Sequence, residues 1–179
     1  MSFVESMKAK AKSYQNKLVF PEGTEPRTVQ AARKIMDEKI ASQVTLLGDE
    51  AAVAATAKAA GVSLGGIHVI NPAKSPLLDD FSNAYYEKRK SKGMTPEQAK
   101  IDMSAVLRFG AMMVAKGFAD SMVGGAEHAT ADVLRAGLTV IGTAPGSKTA
   151  SSCFVMEMPD KKWGIEGLTR CLAQELPPG

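Results

Sequence analysis

Residues 120–160 read DSMVGGAEHATADVLRAGLTVIGTAPGSKTASSCFVMEMPD, and their pattern decides the fold class. The apolar run at 121–123 stops at Gly124-Gly125. A polar turn with Glu127, His128 and Thr130 follows, then a helical stretch carrying Asp132 and Arg135. A second apolar run, 138–141, reads as another strand that opens into a loop rich in Gly, Ser and Thr at 142–152. Two strand-to-loop transitions side by side are how an α/β protein builds an anion pocket from backbone N–H groups.

Outward from this stretch, apolar runs alternate with helical patterns. Residues 18–20 predict a short strand that ends at Pro21-Glu22-Gly23. Thr24 stands where it can cap the next helix, with Pro26 in the first turn. Val29, Ala32, Ile35 and Met36 then repeat at helical spacing. Residues 44–47 predict a second strand stopped by Gly48, and Asp49 opens an alanine-rich helix that Gly61 closes. A third strand is predicted at 67–70, and a helix from about Leu77 to Lys90 with Phe81 and Tyr85 on one face. Thr95 and Gln98 have capping-box spacing, and the pattern predicts one helix continuing through Met103, Leu107, Gly110, Ala111 and Val114. This alternation predicts an α/β fold, a three-layer arrangement with a mostly parallel sheet and helices on both faces. Ligands of such sheets bind beyond the carboxyl ends of the strands. Loops 21–27, 124–130 and 142–152 are expected there.

The chain has 179 residues, 45% hydrophobic and 23% charged, which suits one full domain or one domain and part of another. No apolar run approaches the ~20 residues of a membrane span. The N-terminus lacks the apolar core of a secretory signal and reads as a surface helix. Cys153 and Cys171 lie far apart without a CxxC, so neither a zinc site nor a disulfide framework is expected, and a reducing cytoplasm is the default. The net charge of +3 points to no particular partner. The cluster Lys88, Arg89, Lys90 and Lys92 reads as a solvated helix end, where cations suit the helix dipole. Nucleic-acid binding would need a broader basic face with aromatics to stack on, and neither is visible. Small polyanions remain suitable ligands.

The unit 124–135 is the leading candidate site. Gly124 and Gly125 let backbone approach a ligand closely, and Thr130 is placed to cap the helix that follows. Arg135 either binds a phosphate bidentately or pairs with Asp132. Neither GxGxxG nor GxxxxGK[ST] occurs in the chain. On spacing alone Arg89 reads as a solvated cation. His128 is either a general base, since histidine titrates near neutrality, or a hydrogen-bonding loop residue. Ser151-Ser152-Cys153 lacks a placed base and GxSxG is absent, so Cys153 reads as a small buried residue.

Taken together, several segments resemble phosphate acetyltransferase, also called phosphotransacetylase. They are Phe20-Pro21-Glu22-Gly23 with Arg27-Thr28, YYEKRKSKG at 85–93, GGAEHATADVLR at 124–135 and GTAPGSKTASSCFVMEMPDKKWG at 142–164. The resemblance runs from the N-terminus to about Gly167, with the motifs in family order. It implies two α/β domains of the isocitrate/isopropylmalate dehydrogenase-like type with the active site between them. A first domain is then expected at 1–145 and the start of a second at 146–179, truncated, with 168–179 (LTRCLAQELPPG) unlike the family. The implied reaction is acetyl-CoA plus phosphate giving acetyl phosphate plus CoA. Coenzyme A is a substrate, and no metal or permanently bound cofactor is implied. Two arginines of the family's anion-binding and catalytic site fall on Arg89 and Arg135, and Arg27 matches another of the same pocket region. The resemblance thus assigns Arg135 to catalysis, and Arg89, Arg27, Gly124, Gly125 and Thr130 to substrate.

The family's Ser-Arg pair and catalytic aspartate lie near the C-terminus of longer members and have no counterpart in residues 1–179. A family cysteine falls on Lys161. Little or no turnover is therefore expected of this chain alone, and uncovered apolar surface predicts an oligomer, a dimer by resemblance. Two alternatives share the pattern: phosphate butyryltransferase, and a non-catalytic acetyl-CoA-binding module like the phosphotransacetylase-like domain of malic enzymes.

Overall fold

In a computed structural model, the chain is described over residues 2–147 and 150, with the backbone of two short strands at 156–157 and 163–164. Strands Lys17–Phe20 (β1), Gln43–Leu47 (β2), His68–Ile70 (β3) and Ser121–Met122 (β4) form a parallel sheet in the order β3-β2-β1-β4. Leu18 pairs with Val44 on one side of β1 and with Ser121 on the other. Met156–Glu157 (β5) and Trp163–Gly164 (β6) make a separate antiparallel pair. The residues 151–155 and 165–179, with Cys153, Cys171 and most of the expected second domain, lie outside the described residues.

Alternation along the strands builds a core on each face of the sheet. Val44 and Leu46 of β2 and Phe20 of β1 join Val29, Ala32, Val53 and Ala57 on one side. Val19 and Leu47 join Phe81, Tyr85, Met103, Phe109 and Met112 on the other. The first set of helices is Pro26–Asp37 (α2) and Glu50–Ala59 (α3); the second contains Leu78–Arg89 (α4), Pro96–Met103 (α5), Val106–Ala115 (α6) and Thr130–Ala136 (α7). The three layers expected from the sequence are present. Phe3–Tyr14 (α1) buries no residue, opens with a Ser2/Glu5 capping box and is tied to the end of α2 by Lys8–Glu38 at 2.7 Å. No helix among the described residues is long and apolar enough to cross a membrane.

The structure differs from the sequence reading at four places. Helix α2 is capped by Glu25, whose carboxylate accepts from the Thr28 amide at 2.8 Å, and not by Thr24. A carboxylate at this end also suits the helix dipole. Helices α5 and α6 are separate, because Ala105 is extended (φ −83°, ψ 133°) and the Ser104 hydroxyl donates back to the Lys100 carbonyl. Thr130 is the first residue of α7 and does not cap it; Ala129 holds that place without a side-chain bond. Finally, 138–141 is no strand. It continues α7 as a π-helical turn, Gly137–Ile141, closed by Gly142 N–H donating to the Gly137 carbonyl at 3.0 Å. Ala136 and Val140 sink into the core at helical spacing, and Lys88 caps the turn through the carbonyls of Val140 and Ile141 at 2.6 and 3.0 Å. One lysine of the expected solvated cluster is thus a cap.

Gly23 joins β1 to β2 at their carboxyl ends, its N–H donating to the Leu47 carbonyl at 3.0 Å. A Cβ there would stand 2.7 Å from that oxygen and 3.1 Å from Leu46 Cβ, neither of which can swing away. Gly23→Ala should therefore destabilise the fold by about 2 kcal/mol. Urea unfolding of the two proteins checks this, and equal midpoints would refute it.

Candidate functional site

Beyond β1 the chain crosses to β2 and β3 on one side, then returns to place β4 on the other. The strand order reverses between β1 and β4, and the crevice at their carboxyl ends is the natural ligand position in such a sheet. Here the loop after β1 meets the loop after β4. Gly124 allows the approach, since a Cβ on it would lie 3.0 Å from the Pro21 ring. Gly125 turns the backbone with φ +110°, a conformation side chains disfavour.

The Glu22 carboxylate fills the concave backbone of the β4 loop. One oxygen accepts from the amides of Gly125 and Ala126 at 2.9 and 2.7 Å. The other accepts from the amides of Glu127 and His128, both at 2.8 Å, and contacts His128 Nδ1 at 2.9 Å. Glu22 is 2% exposed. Burial alone would raise its pKa, but the bonds from His128, Glu127 and Ala126 outweigh that and bring it down to about 2. An ionised carboxylate only accepts, so Nδ1 carries the hydrogen and the ring is oriented. An imidazole held in this way can serve as a base through Nε2. The four amides end on Glu22 and not on an open pocket, so the backbone N–H groups expected to form an anion pocket after Gly124 are internally satisfied.

Two clefts flank this junction. The first, about 250 Å³, is lined by Phe20, Glu22, Arg27, Gly124 and Ala126, among others. Arg27 is anchored across it, with Nε on Glu25 at 2.6 Å and Nη2 on the Ala126 carbonyl at 3.0 Å. That contact with Arg27 is the main reason the Glu25 carboxyl lies below its ordinary range. The second cleft, about 220 Å³, is lined by the start of α6 with Arg108, and by His128, Asp132, Arg135 and Ala136. Arg135 donates to Asp132 at 2.8 Å in an exposed pair.

The predicted site residues therefore divide. Arg27 and Gly124 share one cleft and Arg135 lines the other, while Gly125 shapes the loop between them. Arg89 and Thr130 line neither cleft. Arg89 sits half-buried where α4 passes into a 3-10 turn, its Nε without a hydrogen bond. Sequence reasoning missed Glu22, whose only local mark is a carboxylate directly behind an apolar strand. It also missed Arg108, a cation inside an otherwise apolar helix.

The sequence profile described as phosphate acetyl/butaryl transferase matches residues 2–171. The phosphate acetyltransferase of Treponema pallidum is 50% identical over 164 residues, which cover 92% of this chain and 49% of that protein. That of Thermoanaerobacterium thermosaccharolyticum is 44% identical over 168 residues, 94% of this chain and 50% of the relative. Among solved structures, a phosphotransacetylase from Streptococcus pyogenes superposes with a TM-score of 0.80 at 34% identity, covering 89% of this chain and 49% of that one. The EutD phosphotransacetylase from Staphylococcus aureus gives 0.76 at 33% identity, with 87% and 48% covered. The chain spans about half the length of the relatives it matches.

Proposed function

The chain belongs to the phosphate acetyl/butaryl transferase family, and from that premise we propose that it supplies the N-terminal wall of a cytoplasmic phosphate acetyltransferase. The reaction moves acetyl between CoA and inorganic phosphate. A phosphate oxygen attacks the thioester carbon, the tetrahedral adduct collapses, the C–S bond breaks and CoA leaves as thiol. The observation that carries this reading is the placing of Arg135 and Arg27 in clefts on either side of one rigid loop, at the crevice where the strand order reverses.

Fixed guanidinium groups suit the phosphates of CoA and the acetyl phosphate dianion. Arg135 is assigned to the reacting phosphoryl group, and Arg27 and Arg89 to substrate anions. Gly124, Gly125 and Thr130 shape the loop and the helix start that carry Arg135. The exposed Arg135–Asp132 pair is worth little in water, so an incoming dianion can replace it. The relatives named phosphate acetyltransferase favour acetyl over butyryl as the transferred group.

Calorimetric titration of the chain with CoA and with acetyl phosphate tests this. Saturable binding is expected, weakened roughly tenfold to hundredfold by Arg135→Gln. Competition between acetyl-CoA and butyryl-CoA reports the acyl preference. Failure to bind either ligand would overturn the proposal.

A further inference from the structure

We propose that Arg108 is a substrate-binding residue that completes, with Arg135 and His128, a subsite for a phosphate dianion at the start of α6. The inference rests on the transferase reading and adds a residue that the sequence resemblance does not assign.

The second cleft lies between α6 and α7. It is bounded by residues 105–108 of α6 on one side and by Asp132, Arg135 and Ala136 of α7 on the other, with His128 between them. Two guanidinium groups and an imidazole thus line a space of about 220 Å³. That is below the ~300–1,000 Å³ of pockets that enclose a drug-sized ligand. It suits a phosphate or a small acyl phosphate, or one terminal phosphate of a larger molecule, but not a whole nucleotide.

Arg108 is poorly matched to its own protein. It is half-buried, and its Nε lies beneath the surface without a hydrogen-bond partner among the described residues. The nearest carboxylate oxygen, on Asp102, is 3.6 Å away, beyond hydrogen-bond reach. Buried polar groups are ordinarily paired, yet among the described residues this guanidinium has only the long ion pair from Nε to Asp102, which leaves its terminal nitrogens for a ligand in the cleft. Among the described residues Arg135 has one charged partner, Asp132, in an exposed and weak pair. Both arginines can therefore turn to a dianion, which accepts from planar guanidinium groups two bonds at a time. The helix adds to this. Ala105 offers no capping side chain to α6, so the positive pole of a ten-residue helix faces the same space.

Inorganic phosphate, acetyl phosphate and the 3′-phosphate of CoA share this chemistry. The test titrates the 179-residue chain with inorganic phosphate, acetyl phosphate, CoA and dephospho-CoA, using wild type and the variants Arg108→Gln, Arg108→Lys and Asp102→Asn. Circular dichroism confirms that each is folded. Arg108→Gln should weaken binding of the dianion roughly tenfold to hundredfold, and Arg108→Lys should recover only part of it. Loss seen for phosphate and acetyl phosphate identifies the reacting phosphoryl group. Loss confined to CoA, with dephospho-CoA unaffected, identifies the 3′-phosphate.

Asp102→Asn separates binding from architecture. It frees Arg108 and should leave affinity unchanged or higher. If Arg108 served only to hold Asp102, this variant would reproduce the Arg108→Gln defect, and that result would overturn the inference. Wild-type affinity for all four ligands in Arg108→Gln would overturn it while leaving the transferase reading intact. Wild-type protein that binds none of the four removes both.

Discussion

Glu22→Gln should lower stability by about 3 kcal/mol at neutral pH and release the 124–128 loop. The carboxyl is brought from an ordinary 4.5 to about 2 on folding, and each unit of such a shift corresponds to about 1.4 kcal/mol. Because the folded-state pKa is the lower one, this stabilisation is fully present above pH 4.5. It is lost as the pH falls from there through about 2. Glutamine keeps the shape but not the acceptors. Whichever end of its amide carries the NH₂ group must face two backbone N–H donors, at Gly125 and Ala126 or at Glu127 and His128. Unpaired buried donors are costly. Urea unfolding at pH 7 should show the full difference, and the two proteins should converge toward pH 2. Equal stabilities at pH 7 would show that the contacts at Glu22 contribute nothing net.

The same residue marks where the sequence stops being legible. Strands β1 and β2 were readable because their apolar residues are local and face two separate cores. Helix starts at Asp49 and Thr95 were readable because a cap and its amide lie two or three residues apart. Glu22 bonds to amides 103 to 106 positions away, and no local pattern reports such a pairing. The four-residue run 138–141 has no periodicity of its own, since a short apolar run fits a buried strand and a helix turn equally. Only packing of Val140 in the core and the Lys88 cap decide for the helix. The candidate site was legible in position, since Arg135 and Gly124 line clefts beside the point where the strand order reverses. Its geometry was not: the loop amides end on a carboxylate, and the cation facing Arg135 across the cleft comes from α6.

Residues 1–179 alone should bind the substrates yet transfer acetyl roughly a thousandfold more slowly than a full-length relative. Transfer needs cations for the phosphate, donors for the tetrahedral oxyanion and a group to handle the thiol proton. On the proposed reading the first are Arg135 and Arg108, which line one cleft. The loop amides that would form an oxyanion hole are held by Glu22. At a pKa of about 2, Glu22 is too weak a base at neutral pH. His128, which lines the Arg135 cleft and is oriented by Glu22 through Nδ1, is the candidate among the described residues that the loop geometry favours. An oriented imidazole supplies only the proton transfer, worth about 10²–10⁴ in rate when the other groups are in place. The chain spans half the length of its relatives, and the resemblance assigns a Ser-Arg pair and an aspartate to the other half. Thiol release from acetyl-CoA in the presence of phosphate measures the rate. Fusing this chain to the C-terminal half of the Treponema pallidum protein, its 50%-identical relative, should restore turnover. Turnover by the isolated chain within about tenfold of a full-length relative would mean that His128, Arg135 and Arg108 suffice, and the prediction would fail.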